Sequence, residues 1–208
     1  MRRQWLEHIN RDSKRLSSIV DQMLNVSRIQ SGKLTVRLEH IKLRGVIDEV
    51  LHGLRPTTPR HTLVTEIPAD LPRAVADRDK VFQVLVNLIS NGIKYSPNGG
   101  QVTIRAKVDM DGGRVVVEVE DQGIGIAGDD LNGLFTTFHR VRRPETELIR
   151  GTGLGLYIVK GLVELMGGRV WVDSKLNEGS TFSFSLRAAK SHSIVPSRNG
   201  AAQRRREA

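Results

Sequence analysis

Between residues 3 and 30, Leu6, Ile9, Leu16, Val20 and Met23 recur at intervals near three and four, and Ser13 and Ser27 keep the same phase. Ile19, Leu24 and Val26 widen the stripe. This spacing predicts one long amphipathic helix with Gly32 as its stop. A single helix of that length cannot shield its own apolar face. It needs cover from the rest of the chain, from a second copy or from another protein. The width of the stripe favours a bundle over a two-stranded coil.

Beyond this helix the period changes repeatedly. Residues 34–38 alternate as a short strand, and Leu43–Leu54 reads as a helix. Pro56, Pro59, Pro68 and Pro72 then punctuate a stretch that holds a candidate strand, Thr62–Ile67. Val81, Leu85, Leu88 and Ile89 give Asp79–Ser96 a helical stripe that stops at Pro97, Gly99 and Gly100. Val102–Val108 and Val115–Glu120 alternate about an Asp- and Gly-rich turn, the signal of a hairpin. Residues 127–150 are polar, lack a sustained period and read as a long loop. Gly155–Met166 reads as a helix, and Arg169–Ser174 and Thr181–Leu186 read as strands joined by a turn at 177–179. The fold class is therefore α+β: helices on an antiparallel sheet, with a helical appendage in front. Residues 188–208 form a low-complexity polar tail with no reason to fold.

Composition narrows this picture. The 208 residues, 38% of them hydrophobic, are enough for one ordinary core. The lack of cysteine removes disulfide frameworks and zinc clusters from consideration. No apolar run approaches the roughly 20 residues of a membrane span, and the first residues lack the apolar stretch of a signal peptide. A soluble, cytoplasmic protein is the expectation. The net charge of +9 sits at the ends. Residues 1–34 hold seven Lys and Arg against three Asp and Glu, residues 187–208 hold six against one, and residues 35–186 hold 19 of each. Basic ends attract phosphate backbones or anionic lipid heads, but they serve equally as solubilising flanks. With a neutral core and no aromatic residue in the tail for base stacking, no specific nucleic acid is expected as a partner.

Three short segments carry the candidate chemistry. In Asn87–Pro97, the residues Asn87, Asn91, Lys94 and Tyr95 share one helix edge at spacings of three, four, seven and eight. Two amides and a mobile ammonium suit magnesium and phosphate without bringing negative charge near a polyphosphate. In Asp121–Ile126, a carboxylate follows an apolar strand and precedes Gly123 and Gly125. It can accept a hydrogen bond from an exocyclic amine while the backbone approaches a base closely; alone, such a pair is more often a turn. Gly151, Gly153 and Gly155 open a helix with an amide-lined turn, a ready anion site. Neither a dinucleotide-binding succession nor a Walker A loop fits, because the preceding segment is loop and no Gly-Lys-Ser/Thr follows.

In this order the three segments resemble the catalytic, ATP-binding portion of bacterial sensor histidine kinases, within the wider gyrase/Hsp90/histidine-kinase/MutL ATPase group. Asn87–Pro97 resembles the N box, Asp121–Ile126 and Gly151–Leu156 the two glycine boxes, and Leu134–Arg140 the F box. Residues 167–171 and 178–182 resemble the closing strands, and the resemblance spans about residues 40–187. It implies a two-layer α/β sandwich of the Bergerat type with a mixed sheet, organised as a partial dimerisation/phosphoacceptor helix (1–34), a linker (35–42), the ATP-binding domain (43–187) and the tail (188–208). It also implies ATP and Mg2+ as ligands. Asn91 would hold magnesium with Asn87 close by, Lys94 would contact phosphate and Tyr95 would flank the base or ribose. Asp121 would read the adenine amine beside Gly123, Gly125 would line the base pocket and Thr181 would complete its polar network. Gly151, Gly153, Leu154 and Gly155 would support the phosphates at the base of a lid, and Arg140 would meet phosphate when the lid closes. Gly92 stands where many members have alanine.

Residues 4–34 resemble the second helix of the dimerisation and phosphoacceptor hairpin. The acceptor histidine of that family is followed by an acidic residue and shortly after by a proline, and none of the six histidines here has that setting. His8, for example, is followed by Ile9 and Asn10. The resemblance thus implies a histidine protein kinase that donates to a phosphoacceptor histidine in trans, with a response regulator downstream and possible self-association through residues 3–30. Two other functions stay open: a regulatory ATP-binding module that captures partners and transfers nothing, and an autonomous ATPase. Asn87 stands where ATP-hydrolysing relatives place a glutamate base, which argues for poor hydrolysis.

Overall fold

In the computed structural model, which describes residues 2–141, 146, 149 and 151–189, the helical stripes found in the sequence beyond residue 42 converge on one face of a mixed sheet. The elements are α1 (Arg2–Gln30), β1 (Glu39–Ile41), α2 (Leu43–Leu54), β2 (His61–Glu66), β3 (Ala74–Ala76), α3 (Arg78–Lys94), β4 (Gly100–Val108) and β5 (Arg114–Asp121). There follow a short α4 (Gly128–Leu131), α5 (Gly155–Leu165), β6 (Arg169–Lys175) and β7 (Gly179–Ala188). The strand order among the described residues is β1-β3-β7-β5-β4-β2, and β6 also pairs with β7. Among the described strands only β2 and β4 run parallel.

Alternation along the strands separates the two faces. Val102, Ile104, Val115, Val117, Val119, Phe182, Phe184 and Leu186 are buried beneath α2, α3 and α5. Those helices contribute Ile47 and Leu51, then Leu85, Leu88 and Ile89, then Ile158 and Leu162 to the same core. The other face carries ion pairs, with Arg105 bridging Glu66 at 2.6 Å and also pairing Glu120. Such exposed pairs add little stability, so burial under the helices does most to hold the fold together. No described helix is long and apolar enough to cross a membrane.

Four expectations from sequence are corrected. Residues 34–38 form no strand: Leu34 N–H bonds back to Arg28 O, and Arg37 N–H reaches Asp77 Oδ2 at 2.9 Å, so the segment crosses the start of α3 instead of joining the sheet. The strand lies at Glu39–Ile41, inside the expected linker, and pairs with β3, whose three residues were too few to show a period. Within the expected loop 127–150, Gly128–Leu131 forms a helical turn; residues 142–145, 147, 148 and 150 lie outside the described residues. Finally, β7 continues to Ala188, which pairs with Ala74, so the fold extends into the expected tail; residues 190–208 lie outside the described residues.

Helix α1 is anchored by one end. Val26 is buried, and Ile29 fills the notch at Gly161 on α5, where an added β-carbon would come within 2.9 Å of it. Towards the N-terminus Trp5, Leu6, Ile9, Leu16, Val20 and Met23 are exposed, Trp5 by 68% and Leu16 by 64%. The side chain of His8 lies outside the described residues.

Candidate functional site

Helices α3 and α5, the end of β5 and the loop before α5 enclose a cavity of about 580 Å³. That size lies within the ordinary range for small-molecule sites. It brings together ten of the residues singled out in the sequence: Asn87, Asn91, Lys94, Tyr95, Asp121, Gly125, Arg140, Gly151, Gly153 and Gly155.

The polar edge of α3 exists because its opposite edge is core. Asp77 caps the helix, accepting from the backbone N–H groups of Asp79 and Lys80 at 3.1 Å, and this fixes the phase in which Val84, Leu88 and Ile89 turn inward. Asn87 donates its Nδ2 to Gln83 O at 3.0 Å, leaving Oδ1 facing the first turn of α5. A β-carbon at Gly155 would lie only 2.8 Å from that oxygen. Lys94 Nζ bonds the Tyr95 hydroxyl at 3.3 Å and lies 4.7 Å from the ring centroid, a cation–π contact. It also lies 2.7 Å from where a β-carbon at Gly151 would be, so ammonium and glycine loop meet. Arg140 Nη2 bonds Ile149 O at 2.7 Å and ties the F-box segment to the loop beyond it.

At the other end of the cavity is Asp121, the last residue of β5 and almost wholly buried. Burial raises its pKa from 3.8 to about 6; backbone N–H groups of Gly123, at 2.9 Å from Oδ1, and of Ser180 partly offset the rise, and the nearby Glu120 adds slightly to it. A buried carboxylate whose donors among the described residues are backbone N–H groups is suited to accept one more hydrogen bond from a ligand. Gly125 is there for close approach: at φ 61, its β-carbon would collide with Lys175 O. Gly92 brings α3 against β5, since a methyl there would sit 3.3 Å from both Asp121 Cβ and Val102 Cγ1.

Three expected residues do not line the cavity. Leu154 is buried beneath the loop as core. Gly123 is wedged behind Asp121, where a β-carbon would strike Tyr95 O. Thr181 is a correction of face: Asp121 pairs with Ser180 and Glu120 with Thr181, so strand alternation turns Ser180 into the cavity and Thr181 to the opposite side of the sheet. The alternation of Phe182, Phe184 and Leu186 already carried that signal. The sequence reading also missed α1. Ser18, Ile19 and Gln22 form part of the wall, and Gln22 Oε1 accepts from the Thr152 hydroxyl at 2.7 Å. Thr152 Oγ1 in turn accepts from Leu154 N–H at 3.3 Å. No sequence signal joins residues 130 positions apart. Among the described residues no group of three or more His, Asp and Glu side chains is placed to hold a metal ion.

Residues 76–190 match the model of the family described as histidine kinase-, DNA gyrase B- and HSP90-like ATPase. The chain belongs to this family. It is 36% identical over 185 residues to the non-motile and phage-resistance protein of Caulobacter vibrioides, covering 88% of this chain and 22% of that protein. It is 34% identical over 176 residues to the sensor histidine kinase WalK of Bacillus subtilis, covering 84% and 29%. The chain thus spans less than a third of either relative. Among solved structures, full-length ShkA in complex with AMPPNP superposes with a TM-score of 0.77 at 28% identity, over 90% of this chain and 39% of that one. The histidine kinase AdeS of Acinetobacter baumannii gives 0.68 at 26% identity, over 85% and 80%. The α+β mixed-sheet fold with a preceding helix is that of this ATPase family, in the form used as the catalytic, ATP-binding domain of sensor histidine kinases.

Proposed function

We propose that this domain binds Mg-ATP and transfers the γ-phosphoryl group to a histidine supplied in trans by another chain or segment. The observation that carries the reading is the two-ended cavity. Asp121 sits at the base-reading end, and Asn87, Asn91, Lys94 and the Gly151–Gly155 loop converge at the phosphate end. The residues fit the ligand because a side chain at Gly151 or Gly155 would fill the space between the loop and the polar edge of α3.

Asp121 accepts the exocyclic amine of adenine, and Tyr95 and the Gly125 backbone flank the base. Asn91, with Asn87 close by, would hold magnesium, which would spread the charge of the phosphate oxygens. Lys94 and the loop amides take the remaining phosphate charge, and Arg140 adds to it from the F-box side. In the transfer, the acceptor imidazole nitrogen forms a bond to the γ-phosphorus as the bond to the β–γ bridging oxygen breaks and ADP leaves. Catalysis is then mostly orientation and charge stabilisation. The donor machinery asks nothing of His8. A response regulator is the natural recipient further downstream.

The test is transfer of label. Protein incubated with Mg-ATP carrying a radiolabelled γ-phosphate should pass acid-labile label to a histidine-bearing acceptor helix from its native partner. Asp121→Asn and Asn91→Ala variants should not. Absence of labelling with the native partner overturns the proposal. The exposed apolar face of α1 favours a second reading, in which ATP-bound protein captures a partner or a second copy through Trp5, Leu6, Ile9 and Leu16 without transfer. Tight ATP binding and partner capture with no phosphohistidine would select it.

A further inference from the structure

Ser96 lies one residue past the C-cap of α3 and is 2% exposed. Its carbonyl accepts from Gly99 N–H at 3.0 Å and from His61 Nε2 at 2.9 Å. A carbonyl only accepts, so Nε2 carries a proton, and Nδ1 shares a hydrogen bond of 2.8 Å with the buried Thr58 hydroxyl. This relay holds the Ser96 backbone against the start of β2. The side chain is a different matter: Ser96 Oγ is buried and has no hydrogen-bond partner among the described residues. A native group of this kind calls for an explanation.

What it faces supplies one. The position a β-carbon of Gly123 would take lies 2.8 Å from Ser96 Oγ and equally 2.8 Å from Asp121 Oδ1. The hydroxyl and the base-reading carboxylate thus flank one gap, kept open by a glycine. The two segments around that gap are stitched together by Ile124 N–H donating to Tyr95 O at 3.0 Å. Gly123 N–H already donates to Oδ1 at 2.9 Å.

We propose that Ser96 is a positioning residue for base recognition: its hydroxyl donates to Asp121 Oδ1 when the exocyclic amine of the base engages the other carboxylate oxygen. The inference rests on the ATP-binding reading above and adds a residue to it. Engagement by the exocyclic amine draws the carboxylate against the base, strips its remaining water and makes its ionised form more costly, whereas an amine-free base does not draw it in. A buried hydroxyl with its proton free stabilises that form where water no longer reaches. Thr58 and His61 act further back, fixing the backbone from which the hydroxyl turns.

The test compares nucleotides as well as proteins. Binding of ATP and of purine riboside triphosphate, which lacks the 6-amine, is measured by calorimetry for the unaltered chain and for Ser96→Ala and Ser96→Cys. The alanine variant should bind ATP about tenfold more weakly, bind the amine-free analogue as the unaltered chain does, and melt no lower, since it loses an unpartnered donor. The cysteine variant, with a weaker donor, should fall in the same direction. Equal losses for the two nucleotides, or none, overturn the role of Ser96. Failure of the unaltered chain to bind ATP overturns the underlying reading instead.

Discussion

Replacing Asp121 by asparagine should make the protein more stable and less able to bind nucleotide, and the size of the first effect follows from the carboxylate's surroundings. Burial raises its pKa from 3.8 to about 6. The folded protein therefore binds this proton more tightly than the unfolded chain does. The associated stability is fully present below pH 3.8 and is lost as pH rises through 6. Two units of displacement at about 1.4 kcal/mol each place the cost of the ionised carboxylate near 3 kcal/mol at about pH 7.5. Asparagine keeps an oxygen for Gly123 N–H and has no charge to desolvate, so the variant should recover most of that cost. For a chain of this length it amounts to a rise in melting temperature of roughly 6–12 °C. Thermal unfolding followed by circular dichroism at pH 7.5, 6, 5 and 4 provides the assay. Taking the difference between the two proteins at each pH cancels every other titrating group. The gap should be widest at pH 7.5 and shrink steadily towards pH 4. A variant no more stable than the original at pH 7.5, or a gap indifferent to pH, would refute the desolvation argument. In the same preparation, ATP affinity should fall at least about tenfold, because the asparagine NH2 confronts the amine of the base donor to donor.

Gly125→Ala should abolish ATP binding while the sheet persists by circular dichroism, because its β-carbon would collide with Lys175 O and displace the loop that borders the base. Gln22→Ala removes the acceptor that holds Thr152 to α1. Fluorescent-nucleotide release measured by stopped flow should accelerate about two- to tenfold, the equivalent of one ordinary hydrogen bond. Asn87→Glu places a proton acceptor at the start of α5 where an amide now stands. Phosphate release should then show faster ATP hydrolysis than the original chain gives, through general-base activation of water.

Long periodic elements were legible without coordinates: Leu43–Leu54 is a helix over the residues its spacing indicates, and α3, α5 and the β4–β5 hairpin depart from expectation only at their ends. Their apolar stripes face a single core, so local pattern and tertiary need coincide. Three-residue strands such as Ala74–Ala76 carry no period, and the sheet edge they form with Glu39–Ile41 depends on pairing across a long sequence gap. In the site, the motif residues on α3 were readable because helical spacing alone places them on one edge. Thr181 was misjudged by one position, which on a strand means the opposite face. The contribution of α1 was invisible for another reason. It arises from docking of Ile29 into the Gly161 notch, a contact between residues that share no local pattern.

The glycines also decide where this sequence is free to drift. At Gly45 and Gly53 on α2, an added β-carbon would meet nothing within 4 Å. Each tolerates alanine, with a gain of about 0.5–1 kcal/mol from the stiffer unfolded chain and better helix propensity. Around the cavity the same change meets Asn87, Lys94, Tyr95 or Lys175 at once. Selection for thermal tolerance would therefore replace glycines on α2 and leave those of the cleft untouched. A library of alanine replacements, ranked only by survival on heating, would separate the two α2 glycines from those packed against other segments, the cavity glycines among them, with no nucleotide in the experiment.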